Sequence, residues 1–134
     1  MNRRLFSKIG FLTPLLPFSL SKPSDTIDDN RMKNIFVHHV YFWLKNPESK
    51  DDFDQLVAGL ETLSKVKSLK SFHLGIPAST NRDVIDGSYS LSWLTIFHSP
   101  KDEEKYQKDP IHLDFVKNCQ HLWAKVVVYD SIDQ

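Results

Sequence analysis

The chain has 134 residues, enough for one domain with a real core, and its 17 basic side chains are matched by 17 acidic ones. That balance leaves no electrostatic footprint for nucleic acid and no surplus that would draw an oppositely charged partner. With Cys119 the one cysteine, an internal disulfide and a cysteine-based metal cluster are excluded; Gly-rich phosphate loops, GxSxG and HExxH are also missing, so neither a metal nor a cofactor is expected.

The first residues differ in character from the rest. Arg3, Arg4 and Lys8 form a charged start, followed from Ile9 to Leu20 by an apolar run of twelve interrupted by Pro14 and Pro17. This length suits the hydrophobic region of a signal peptide and is too short to span a bilayer; Ser19 and Ser21 are small residues at a cleavage point before Lys22. Asn2-Arg3-Arg4-Leu5-Phe6-Ser7-Lys8 resembles the twin-arginine export signal of bacteria, departing from it at Asn2 and Ser7. Residues 1–21 are therefore expected to direct export to the periplasm, with 22–33 a polar linker and 34–134 the domain. The alternative is translation from Met32, which would leave the protein cytoplasmic.

Within the domain, IFVHHVYFWL (Ile35 to Leu44) is rich in aromatic and β-branched residues and predicts a strand, stopped by Asn46 and Pro47. Ser49 stands three residues before Asp52 as a capping box with a short acid; Phe53, Leu56, Val57, Leu60, Leu63 and Val66 then recur at helical spacing. Leu69 to Ile76 alternates as a second strand, 77–88 is a polar loop, and Tyr89 to His98 is a third strand. Ser99-Pro100 caps and starts a helix whose early acids Asp102, Glu103 and Glu104 suit the helix dipole. Asp109-Pro110 repeats the device, so a short helical piece is followed by a longer one reaching about Leu122, where Cys119 is expected as a small buried residue. Ala124 to Asp130 is the fourth strand.

The order β-α-β-β-α-β predicts an α+β, ferredoxin-like domain with two helical regions on one face of a four-stranded antiparallel sheet. The other face should then be polar, yet the first strand is apolar on both sides: Phe36, Val40, Phe42 and Leu44 one way, Ile35, Val37, Tyr41 and Trp43 the other. The third strand repeats this, with Leu94 and Ile96 opposite Tyr89, Leu91, Trp93 and Phe97. An uncovered face of this kind exceeds the apolar patch a soluble monomer tolerates. A second copy of the sheet, burying about 800 Å² per partner, is the economical cover, so a homodimer is expected.

VHHVYFWLK, with His38 leading an apolar run that ends in Lys45, resembles the opening strand of the stress-responsive dimeric A/B-barrel family; GSYSLSWLTIF is similar to its third strand. YQKDPIHLDF resembles its most recognisable signature, a tyrosine, then a proline, then a histidine ahead of an aromatic residue (here Tyr106, Pro110, His112 and Phe115), and Trp43 departs from the family's usual lysine. The resemblance covers about Asn34 to Asp130 and implies a homodimeric α/β barrel with a small cavity in each subunit. It also implies diverse roles. One plant relative is a polyketide cyclase working by aldol condensation, and Tyr106 and His112 are the counterparts of its tyrosine and histidine, while Leu91 replaces a further pocket histidine.

By residue chemistry, His112 is the third residue of a helix capped by Asp109, where the positive helix end disfavours the imidazolium and leaves a ring able to take a proton. Tyr106 could then donate a hydrogen bond to a carbonyl oxygen as charge develops there. Six positions along one straight helix would separate the pair; the Asp-Pro break removes that objection. Equally, the tyrosine ring could simply pack at the kink while the histidine bonds a backbone carbonyl. His38 and His39 point to opposite faces of their strand and cannot jointly grip a metal; His38, on the family position, is the candidate cavity residue, joined by Leu91 and Trp93. His73, His98 and His121 are expected at the surface, and Trp43 and Trp93 in the barrel or the dimer interface. Two main readings follow: a dimer binding a small apolar or aromatic molecule, with proton-transfer chemistry at His112 and Tyr106, or a non-catalytic stress or interaction module whose barrel is filled by Trp43, Trp93 and Phe42. An oxygenase of the antibiotic-biosynthesis type is a weaker third, with no residue to specify it.

Overall fold

The structure, a computed structural model, describes residues 30–134, and residues 31–134 form one compact unit. The expected leader and most of the linker lie outside the described residues. Strand β1 (Phe36–Leu44) is followed by α1 (Lys50–Leu63), β2 (Ser71–Gly75), β3 (Leu91–Phe97), α2 (Pro100–Lys108), α3 (Pro110–Cys119), a single 3-10 turn (Gln120–Leu122) and β4 (Trp123–Ile132). All pairings are antiparallel, in the order β2-β3-β1-β4, as the ferredoxin-like topology requires. Among the described residues no helix is long and apolar enough to cross a membrane.

The helix starts follow the capping chemistry. Ser49 Oγ accepts the Asp52 amide at 3.2 Å, and Ser99 Oγ accepts the Asp102 amide at the same distance. The Asp52 carboxylate does not complete the capping box; it receives the Asn46 side-chain amide at 3.0 Å, bracing the chain entering the helix. Helix α1 ends earlier than the apolar spacing suggests. The Ser64, Lys65 and Val66 amides bond carbonyls three residues back, so the chain tightens and delivers Val66 to the core from a turn. Tyr89, expected in the third strand, precedes β3, and its ring packs edge-on against Tyr41 at 4.9 Å.

Register sorts the side chains. Phe36, His38, Val40 and Phe42 pair with Phe97, Thr95, Trp93 and Leu91 on the face beneath the helices. Leu56, Leu60 and Leu63 of α1 and Phe115 and Cys119 of α3 close this layer, with Val40, Phe42, Leu44, Trp93, Phe97 and Tyr106 buried between. The opposite face carries Val37, His39, Tyr41 and Trp43 beside Leu94, Ile96 and Val127, all half-buried, with Tyr129 exposed.

The edge strand β4 departs from simple alternation. Val126, Val128 and Asp130 share the helix-side face with Phe42, Val40 and His38, and Trp43 pairs with Lys125. A bulge then skips Ala124, so Leu44 pairs with Trp123. That extra residue turns the odd-numbered Trp123 onto the same side as the even-numbered valines, its ring 5.1 Å from Phe42 and 5.8 Å from Phe115.

Candidate functional site

The Asp109-Pro110 break decides the site. Asp109 ends α2 in an extended conformation, ψ 136°, and caps α3 by accepting the Ile111 amide at 2.8 Å. The chain therefore turns between the helices and brings Tyr106 and His112 together, with ring centroids 4.8 Å apart. Both line a cavity of about 150 Å³ between the sheet and α2–α3. The sheet forms its floor through His38, Val40, Phe42, Trp93, Val126 and Val128, with Phe115 and Trp123 among the remaining walls.

The polar groups of this apolar chamber are few and specifically held. Trp93 Nε1 donates to Tyr106 Oη at 3.0 Å, and both residues are about 1% exposed. The indole fills an acceptor position of the phenol, leaving the Tyr106 O–H to donate elsewhere. Burial drives the Tyr106 pKa far upward, opposed in part by the indole hydrogen bond and reinforced by Glu103, so the residue is a neutral proton donor at any ordinary pH. His112 is pushed the other way. Burial lowers its pKa and His38 adds to the shift, while the Gln107 backbone and Asp109 oppose it, so the ring is neutral near pH 7. Its Nδ1 is buried without a hydrogen-bond partner, a cost of about 1–3 kcal/mol when nothing answers it.

His38 is 6% exposed and faces the same chamber, its ring 6.2 Å from Tyr106. Its Nδ1 lies 2.7 Å from Asp130 Oδ1, and its Nε2 is 3.5 Å from the Gln107 amide nitrogen. Gln107 in turn donates to Glu103 Oε1 at 2.7 Å.

Of the residues expected from sequence, Tyr106, His112, His38 and Trp93 converge on one cavity. Leu91 does not line it: it pairs with Phe42 at the start of β3 and is 1% exposed within the core. Trp43 lies on the opposite sheet face, its indole donating to Ser88 Oγ at 3.0 Å, so it takes no part in filling this chamber. Asp130, Gln107 and Trp123 were not among the expected site residues. Asp130 is directly across from His38 only through the β1–β4 register, Gln107 reaches it from α2, and the bulge that turns Trp123 inward carries no periodic signal.

Comparison with known proteins agrees with this architecture. The profile described as the stress responsive A/B barrel domain matches residues 36–133. Among solved structures, a hydroxynitrile lyase from Passiflora edulis superposes with a TM-score of 0.64 at 25% identity, over 77% of this chain and 96% of its own. A dabb family protein with a ferredoxin-like fold from Mesorhizobium loti gives 0.63 at 20% identity, over 75% and 97%. A dimeric ferredoxin-like protein of unknown function from Thermobifida fusca gives 0.61 at 16%, over 76% and 93%. No curated protein matches the sequence. With a match over nearly the whole described domain and the sheet order and helix placement that the fold requires, this chain belongs to the stress-responsive A/B-barrel family.

Proposed function

We propose that the protein is a homodimer whose subunits each bind a small, mainly apolar or aromatic molecule between sheet and helices, and that His112 and Tyr106 move a proton on it. The observation that carries this reading is the pairing, in the wall of one cavity, of a neutral donor, the Tyr106 hydroxyl held by Trp93, with the His112 ring that burial keeps neutral. With a carbonyl oxygen against Tyr106, a proton on the neighbouring carbon passes to His112 while charge builds on the oxygen and is met by the phenolic O–H. Such a step serves enolisation and aldol-type bond making or breaking. The Passiflora protein, named for its action on hydroxynitriles, supports small-molecule chemistry in this fold.

The test is deuterium exchange at the carbon beside the carbonyl of phenylacetaldehyde, a probe whose benzene ring suits a cavity near 150 Å³. The full chain should accelerate exchange, and His112→Ala should lower the rate about 100-fold or more with the fold intact. Equal rates in wild type and variant would remove His112 from the mechanism.

The cavity is small beside the roughly 300–1,000 Å³ of ordinary ligand sites, and this favours a second reading in which the domain serves interaction and its interior is only packing. Native mass spectrometry of the protein against a panel of small aromatics separates the two, since the second reading predicts no retained ligand. We also propose that residues 1–21 direct export; a leader–reporter fusion remaining in the cytoplasm would instead favour initiation at Met32.

A further inference from the structure

Two histidines stand back to back on β1, and their surroundings are opposite. His38, on the helix side, has the Asp130 carboxylate 2.7 Å from its Nδ1. His39 points to the other face, in the middle of the apolar surface that the proposed dimer covers. The register sets it directly across from Leu94 of β3 and Tyr129 of β4, and Leu94 across from His73 of β2. These four side chains therefore form one row over the sheet. Tyr41 stacks on the imidazole with ring centroids 4.3 Å apart, its Oη 3.2 Å from Nδ1, while Nε2 is buried without a partner. A charged ring fits this setting badly. Both nitrogens would carry hydrogens, the phenol could accept from Nδ1, and the Nε2–H would have no acceptor.

The groups facing the ring supply no counter-charge. Tyr129 and Tyr89 pack edge-on against Tyr41 and offer only phenols, Leu94 is apolar, and His73 and His38 are bases whose charge opposes another. Asp86, toward Trp43, is taken up by the Ser88 amide at 2.9 Å and by the Lys125 charge. Asp133, at the other end of the face, is held by the Asn34 and Ile35 amides. Covering the face with a second copy removes water and makes a charge on His39 costlier still.

We infer that the dimer is a pH switch read by His39: the two copies hold together while both rings are uncharged, and protonation of His39 in each copy separates them. This rests on the proposed dimer and adds its regulation. The sign follows from linkage. Burial already lowers the His39 pKa in the single subunit and the interface lowers it further, so association releases protons. The dimer is at full strength above the titration range of the free subunit's ring and weakens as pH falls through it.

Sedimentation equilibrium of the full chain at pH 7.5 and 5.5, with circular dichroism at each, tests this. The expected result is a dissociation constant about tenfold larger at pH 5.5 with the fold preserved, since two rings titrate per dimer. His39→Gln, which cannot gain the charge, should dimerise equally at both pH values. Should that variant misfold, dilution calorimetry of the wild type near pH 6.5, in two buffers of different ionisation enthalpy, should still show net proton release on association. A dimer whose strength ignores pH, a dependence retained in His39→Gln, no proton release, or dissociation only with loss of the fold overturns the switch while the dimer stands. A wild-type monomer at both pH values takes the dimer reading and the switch down together.

Discussion

The Trp93–Tyr106 hydrogen bond sits where almost no water reaches, so its loss leaves an indole N–H without a partner. Tyr106→Phe is expected to destabilise the domain by about 1–3 kcal/mol in urea unfolding. Trp93→Phe should leave the phenol to seek another donor, and the double variant should cost less than the two single changes added together, because each removes the same bond. The histidines set the pH dependence. His39, whose Nε2 is buried without a partner on the other sheet face, has its pKa lowered chiefly by burial, with His73 and then His38 adding to it, and His112 is lowered as well. Near pH 6.5 the unfolded chain takes up protons at these rings, while the folded chain resists them. Their penalty is absent above that pH and grows as pH falls, until the folded rings also protonate. Unfolding free energy should therefore drop between pH 7.5 and 5.5, and His112→Asn should flatten that slope. An unchanged slope would contradict the assignment.

Among the elements, the junction of α1 with α3 is closely packed. A Cβ at Gly59 would come within 2.5 Å of Cys119 Sγ and 3.1 Å of the Phe115 ring. Gly59→Ala removes a helix-interior glycine, a gain of up to about 1 kcal/mol by propensity. It also overpacks the interface, and overpacking usually costs about 1–3 kcal/mol. The clash should win because Phe115 is held among Phe42, His112 and Trp123. Cys119→Ala in the same chain should recover most of the loss, read as the denaturant midpoint. Cys119 thus has the role its position suggested, a small buried residue, and the structure adds that its size is set by a facing glycine. The Asp109-Pro110 break was equally plain in the sequence, since a cap followed by proline at the first helical position has few other meanings. What it brings together was not. The 4.8 Å approach of Tyr106 and His112 depends on the angle at which α3 leaves the junction, and packing against α1 and the sheet sets that angle.

At the scale of the molecule, the face away from the helices keeps its apolar character: Val37, Tyr41, Trp43, Leu94, Ile96 and Val127 remain half-buried there. Loop residues cover part of it, through Tyr89 against Tyr41 and Ser88 against the Trp43 indole. The proposed dimer predicts that the domain elutes at twice its mass at micromolar concentration. Leu94→Glu, in the middle of that face, should yield a monomer whose far-ultraviolet circular dichroism is preserved. A wild-type monomer would mean the loop cover suffices. Composition, capping residues and alternating hydrophobicity settled the element order and the two-faced sheet, because these are local chemistry repeated along the chain. They also marked Tyr106, His112 and His38, by resemblance and by residue type. Register and packing decided the rest: Asp130 meets His38, Trp123 turns inward at a bulge and Leu91 is withdrawn into the core, because such meetings depend on strand alignment and helix angle, which no stretch of sequence contains by itself.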